Sequence, residues 1–142
     1  YYRNGLAVKQ DFQKAIEYFR RASNLGNSDA LFDLGVRYIK GEGVNKSIST
    51  AYGLWMKAAD GGNLKAQYNL AVAYENGKAI EKNLTLALKY YELAANQNEI
   101  KSIEYCFKAY TIGAGTDKNY VKAQYYLDLK IQYYLDLKKK NS

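Results

Sequence analysis

The chain has 142 residues, no His, no Pro and a formal net charge of +7. Without His it lacks the commonest general base, the usual activator of Ser and Cys nucleophiles, and the commonest ligand of transition metals. Composition therefore makes enzymes and metal proteins the weakest classes, and we expect no catalytic residue, no metal and no cofactor.

The positive charge is spread along the chain. Successive 36-residue blocks carry net charges of +1, +3, 0 and +3, and Lys outnumbers Arg 17 to 4. Proteins that bind bases and phosphates rely on the planar, bidentate guanidinium of Arg. The distribution favours a solvated Lys-rich surface, and nucleic-acid binding remains the less favoured alternative.

The sequence repeats with a period of 36 residues. Three sets of identical residues keep this spacing without an insertion: Tyr2, Tyr38, Tyr74 and Tyr110; Gly5, Gly41, Gly77 and Gly113; Ala15, Ala51, Ala87 and Ala123. Residues separated by multiples of 36 are said below to share a column. Such self-similarity is typical of a solenoid, in which each unit buries its apolar face on its neighbours. We predict an all-α solenoid of antiparallel helix pairs in a single domain, 1–142, with units at 1–27 (partial), 28–63, 64–98 and 99–142.

The first unit is predicted to contain the end of a helix at residues 1–3, a loop at 4–10 and a helix from Asp11 to about Asn24. Asp11 shares its column with Ser47, Asn83 and Asn119. Each of these side chains can accept a hydrogen bond from an N–H in the first helical turn. We therefore predict four helix N-caps in register.

A sharp reversal is predicted after each of these helices. Gly26 and Gly62 stand where a left-handed residue would end the helix, and Asn27 and Asn63 can cap the next one. The first helix of the full unit, about 28–40, carries Gly35, whose size allows the partner helix to approach closely. Ala71 is also small, whereas Phe107 in the same column predicts a different helix crossing in the last unit.

Short Gly-led loops join the two helices of each pair, at residues 41–46, 77–82 and 113–118. Each fits a left-handed helix stop followed by an apolar or Thr plug in its fourth position. The glycine spacing matches neither a dinucleotide fingerprint nor a nucleotide-binding loop. We therefore expect these loops to be structural.

The last helix lacks the stop signal of the earlier ones. After Ala123 the chain continues as QYYLDLKIQYYLDLKKKNS, without Gly before the basic tail. We predict an extended C-terminal helix that caps the solenoid. Its apolar residues cover more than one face, so a partner-binding or dimerising helix is the alternative, and the oligomeric state stays open.

Cys106, the single cysteine, shares its column with Leu34 and Leu70 and is therefore predicted to be a small buried hydrophobe. Apolar runs are far shorter than the roughly 18–20 residues needed to cross a bilayer. We expect a soluble chain without membrane insertion, cytoplasmic, or periplasmic or secreted if a signal peptide was removed. Because Tyr1 lies inside a repeat, we also expect an upstream region.

Two motifs carry a resemblance to a known family. Residues 34–44 read L-G-x-x-Y-x-x-G-x-G-V, and residues 51–62 read A-x-x-L-W-x-K-A-A-x-x-G. They resemble the Sel1-like repeats, which are related to tetratricopeptide repeats; the likeness is good in the third unit and weakest in the fourth. The resemblance implies a right-handed superhelix that acts as an adaptor for other proteins, as members in bacteria and eukaryotes do; bacterial members often serve host interaction, envelope processes, signalling or toxin neutralisation.

In such superhelices the first helix of each pair lines the concave side. Positions of that helix outside the core are the candidate partner-binding residues: Asp29, Phe32, Val36, Lys40, Lys65, Tyr68, Val72, Asn76, Lys101, Glu104 and Lys108. An apolar stripe edged by charge suits a peptide better than a polyanion. Phe32 and Tyr68 are the central aromatic pair, although such rings can also serve helix packing.

The sequence therefore favours a non-catalytic scaffold or adaptor, of bacterial type, that binds a partner protein or peptide in the concave groove. A toxin-neutralising immunity or regulatory protein of the same fold is the alternative. Binding of nucleic acid through the basic surface is less favoured, and would show a steep dependence on salt.

Overall fold

The computed structural model describes residues 2–142, with side chains from residue 7 onward. This part of the chain forms seven α-helices and no strand. The helices are α1 (Tyr2–Asn24), α2 (Ser28–Lys40), α3 (Ile48–Asp60), α4 (Leu64–Asn76), α5 (Leu84–Ala95), α6 (Ile100–Ile112) and α7 (Tyr120–Lys140). The predicted all-α fold of helix pairs is confirmed.

The chain divides into two compact units, Tyr1–Ala66 and Gln67–Ser142. In the first unit α2 packs on α3 and on α1, and in the second α6 packs on α5 and on α7. The single domain expected over 1–142 stays a prediction.

Three of the four predicted N-caps are confirmed. Ser47 accepts a hydrogen bond from the backbone N–H of Thr50 at 3.3 Å. The Asn83 and Asn119 side chains accept from the residues three positions later, Leu86 and Lys122, both at 3.0 Å. These bonds satisfy donors that the first turn of a helix leaves without an intrahelical partner.

The prediction of a loop at 4–10 and a cap at Asp11 is wrong. α1 is continuous from Tyr2 to Asn24, so Asp11 lies inside it. The segment 5–10, GLAVKQ, has one Gly followed mostly by strong helix formers (Leu, Ala, Lys and Gln), and an interior Gly costs only about 1 kcal/mol. The corresponding segment of the next unit, GEGVNK, contains two glycines and therefore has a lower helix propensity. The expected helix end at residues 1–3 is likewise not found at 2–3, and Tyr1 lies outside the described residues.

The reversals after the second helices use a left-handed residue and a cap, as predicted. Gly26 and Gly62 have φ of +83° and +97°. Asn98 occupies the same column with φ of +64°, a conformation that Asn tolerates better than most residues. The following side chains, Asn27, Asn63 and Glu99, each accept hydrogen bonds from the first turn of the next helix.

The expected close approach at Gly35 is confirmed between α2 and α3. A Cβ at Gly35 would lie 2.5 Å from Nε1 of Trp55. The same indole N–H donates to the Phe32 carbonyl at 3.1 Å, so the buried ring is held by packing and by a hydrogen bond. The different crossing expected at Phe107, which is half-buried on α6, stays a prediction.

The loops between paired helices begin with the predicted left-handed stop. Gly41, Gly77 and Gly113 have φ of +71°, +68° and +78°. Each donates its N–H to the carbonyl four residues earlier, which satisfies one acceptor at the helix end. The plug residues Val44, Ile80 and Thr116 are half-buried.

The extended C-terminal helix is confirmed by α7, which runs for 21 residues. Ala123 and Tyr126 are buried on it, and Lys130 pairs with Glu104 of α6 at 3.3 Å. Several large apolar side chains of α7 remain exposed: Tyr120, Val121, Tyr125, Ile131, Tyr134, Leu135 and Leu137. The capping and partner-binding alternatives for this helix both stay predictions.

Two glycine substitutions test the packing of α2 on α3. Gly35→Ala places a methyl group against the indole, so we expect a net loss of about 1–3 kcal/mol in the free energy of unfolding. Gly53→Ala, in α3, meets no atom within 4 Å, so its better helix propensity should raise stability by roughly 0.5–1 kcal/mol. Urea unfolding followed by circular dichroism measures both, and equal effects of the two substitutions would contradict the close approach.

Candidate functional site

In the first unit, four predicted partner-binding residues lie along one face of α2 at spacings of three and four. Asp29 is exposed and its carboxylate accepts a hydrogen bond from the Asn63 side chain at 2.7 Å. Phe32 is half-buried, and its ring stacks on Trp55 with centroids 5.3 Å apart. Val36 is half-buried and Lys40 is exposed. Asp29 and Phe32 thus have structural roles, while Val36 remains partly accessible and Lys40 is exposed.

α4 carries the next set. Lys65 is exposed at its start, within the first unit, and the second unit contributes half-buried Tyr68 and Val72 and exposed Asn76. Tyr68 contacts Tyr91 edge to face, with ring centroids 6.1 Å apart. Phe32 and Tyr68 therefore each contact an aromatic residue of a second helix. This supports the alternative that these rings serve helix packing, yet leaves part of each ring accessible.

α6 carries the last set, in the second unit. Lys101 and Lys108 are exposed. Glu104, in the column of Phe32 and Tyr68, is held by Lys130 at 3.3 Å. This column therefore holds an aromatic residue in α2 and in α4 but an ion-paired Glu in α6. The candidate residues of α6 would offer a partner charged groups rather than an apolar contact. A groove formed by all eleven residues stays a prediction.

Sequence reasoning missed a cleft in the first unit, between α1 and the loop from Gly41 to Ser47. Its volume is about 880 Å³, within the range of ligand-binding clefts. Its lining includes Lys9, Arg20 and Lys46. Because residues 4–10 were predicted to form a loop, Val8 and Lys9 were not expected to lie on the same helix as Phe12 and Arg20, as they do in the cleft.

The buried tyrosines and Cys106 have strongly altered acidity. Burial raises the pKa of Tyr91, whose hydroxyl also donates to Glu75 at 2.6 Å. Burial likewise raises the pKa of Tyr126, and that of Tyr110, which donates to Glu92. Burial, followed by the nearby Glu92, raises the pKa of Cys106, a fully buried thiol. The prediction of Cys106 as a buried hydrophobe is confirmed.

Two further findings concern the described part of the chain. Within residues 2–142, no group of three or more His, Cys, Asp or Glu side chains could hold a metal ion. In the same residues, no helix has the length and apolar character that a bilayer span requires.

The raised tyrosine pKa values predict loss of stability at high pH. Folded Tyr91, Tyr110 and Tyr126 hold their protons above the ordinary pKa of 10.0. Their stabilisation is fully present below about pH 10 and is lost as pH rises further, because only the unfolded chain then ionises. We expect a fall of up to about 1.4 kcal/mol per pH unit for each such residue.

Urea unfolding at several pH values, with tyrosinate absorbance recorded in parallel, measures this effect. Tyr126→Phe removes one ionising group and should make the fall less steep. An unfolding free energy that stays flat through this range would contradict the assignment.

The profile of the Sel1 repeat family matches the chain in four segments, residues 1–27, 28–63, 64–99 and 101–129. A search of curated protein sequences gave no match. Among solved structures, the chain is similar to a protective antigen of uropathogenic Escherichia coli that displays an SLR fold. Their identity is 32% and the TM-score 0.67, over 85% of this chain and 26% of that one. The chain thus spans about a quarter of that protein.

Two other similar structures are matched over most of their own length. A Sel1 repeat protein from Oxalobacter formigenes is 25% identical with a TM-score of 0.70, over 87% of this chain and 96% of that one. Helicobacter pylori cysteine rich protein B is 25% identical with a TM-score of 0.57, over 89% and 90%. All three relatives are bacterial. Together with the repeat matches along the sequence and the helix pairs with their left-handed stops, they show that the chain belongs to the Sel1 repeat family.

Proposed function

We propose that the chain is a non-catalytic scaffold that binds a partner protein or peptide through the first helix of its pairs. The observation that carries this proposal is that each of these helices has a buried apolar residue and, two positions later, an apolar residue that stays partly accessible. Leu34 of α2 and Leu70 of α4 are buried. Val36 and Val72, two positions later, remain partly accessible. Apolar side chains left accessible beside exposed Lys40 and Asn76 suit a protein contact better than a solvated face.

Family membership supports a scaffold role, because Sel1 repeats commonly mediate protein–protein interaction. The chain has no His, and its deeply buried tyrosines are held inside the core, away from solvent. These features support the non-catalytic part of the proposal. An immunity or regulatory protein is a special case of it, separable once the partner is identified.

Phe32 is a poor position at which to test the proposal, because its ring is part of the packing between helices. Because its ring stacks on Trp55, a charge at Phe32 would disturb the packing of α2 on α3. Val36 and Val72 lack a ring contact or hydrogen bond of this kind and are better probes. Val121, which is 83% exposed on α7, offers the matched control.

We expect Val36→Glu or Val72→Glu to lower retention of a bound protein at least about tenfold, since a carboxylate would be desolvated in an apolar contact. Val121→Glu, with the same chemical change, should retain it. The measurement is affinity capture from the source lysate read by quantitative mass spectrometry, with helicity checked by circular dichroism. Equal retention by all variants, or no specific protein on the parent chain, would contradict the proposal.

A further inference from the structure

The cleft of the first unit is lined by none of the partner-binding candidates of α2. α1 contributes Val8, Lys9, Phe12, Gln13 and Arg20, and the loop after α2 contributes residues 41–47, with Tyr38 beside them. The loop is seated directly on α1. A Cβ at Gly43 would lie 2.8 Å from the Phe12 carbonyl and 3.0 Å from Cγ1 of Ile16. The cleft is therefore a fixed feature of the packing between α1 and this loop.

The lining combines apolar side chains with positive charge. Val8, Phe12 and Val44 supply apolar surface, and Phe12 also lies beneath the Arg37 guanidinium, 5.8 Å from its ring centroid. Glu42 is the acidic residue of the lining, and Arg37 neutralises it through a 2.9 Å ion pair. Three cations, Lys9, Arg20 and Lys46, thus remain without a compensating carboxylate among the described side chains.

Arg20 is placed by a single neighbour. Its Nη2 donates to the Tyr38 hydroxyl at 3.4 Å, which orients the guanidinium but does not neutralise it. A guanidinium carries five N–H donors in a fork that matches a carboxylate. The remaining donors can therefore serve a ligand.

The repeat itself shows that the fold does not need these charges. Two units later, the columns of Lys9 and Arg20 hold Glu81 and Glu92. There the hydroxyl of Tyr110, in the column of Tyr38, donates to Glu92. The tyrosine thus pairs with either sign of charge at this column. The positive charge in the first unit is therefore free to serve recognition.

We propose that this cleft binds an acidic segment of a partner protein, with its carboxylates on Lys9, Arg20 and Lys46 and an apolar side chain on Phe12 and Val44. The occupant follows from charge complementarity and from the apolar floor, since an inorganic anion would use the cations alone. The inference rests on the proposed scaffold function but concerns a different surface. Its failure would leave the proposed roles of Val36 and Val72 intact.

The test uses a fluorescein-labelled peptide of alternating Glu and Leu, read by fluorescence anisotropy, with a Lys and Leu peptide of the same length for comparison. We expect the full chain to bind the acidic peptide and not the basic one. Arg20→Glu should weaken binding at least about tenfold while preserving the fold, because it recreates the Tyr110–Glu92 pairing. Arg21→Glu is the matched control, with the same charge change one position along α1, and should alter binding less than about twofold.

Four results would overturn the inference. The first is no binding of the acidic peptide at millimolar concentration, and the second is equal weakening by Arg20→Glu and Arg21→Glu, which would indicate long-range attraction alone. The third is full displacement of the peptide by inorganic phosphate at comparable concentration, which would indicate a small-anion site. The double variant Lys9→Glu, Arg20→Glu should abolish binding, and retained binding there would also count against the proposal.

Discussion

Within the described residues, every connection between successive helices contains a residue in the left-handed conformation. The six connections within residues 2–142 contain, in order, Gly26, Gly41, Gly62, Gly77, Asn98 and Gly113, all with positive φ. Because the chain has no Pro, these residues provide its main means of ending a helix. Each lies between the end of one helix and the cap of the next, a few residues apart, and antiparallel helix pairs follow from that short reversal.

Close packing within a pair then requires specific side chains in facing columns. The indole of Trp55 lies against the backbone of α2 because Gly35 has no Cβ. In the later pairs the two columns hold Ala71 with Tyr91, and Phe107 with Leu127. From pair to pair, the side chain in the column of Gly35 becomes larger and the side chain in the column of Trp55 becomes smaller. The combined volume of the two side chains is thereby kept more nearly constant between facing helices. Residue differences in these two columns are explained by helix packing. Candidate functional residues are better sought in columns whose residues differ between units although packing does not require it.

The sequence predicted much of the fold because repetition supplies several independent observations of each structural rule. Caps at Ser47, Asn83 and Asn119 and the left-handed stops are local, hydrogen-bonded features that a short stretch can specify. The N-terminal part of α1 was missed because segment 4–10 follows the register of a loop but contains strong helix formers, whereas the helix predicted from Asp11 to about Asn24 lies within α1. Local propensity there outweighs the analogy with later units.

The candidate site was less predictable, because its properties depend on contacts between residues far apart in sequence. Phe32 stacks on Trp55 and Glu104 pairs with Lys130. These contacts within the chain give part of the predicted surface a structural role, and the periodicity of the sequence shows neither of them. The cleft in the first unit depends on the helical register of α1. Its one sequence signal was the reversal of charge between Lys9 and Glu81 and between Arg20 and Glu92.

The most direct test of a scaffold that binds through its first helices is site-specific photo-crosslinking. A photoreactive residue replaces Lys40, exposed on α2, and in a second variant Lys57, exposed on α3, and each variant is irradiated in the source lysate. The account predicts a discrete adduct with one protein at position 40 and none at position 57. Adducts at position 57 alone, the same adducts at both positions, or no adduct at either would contradict it.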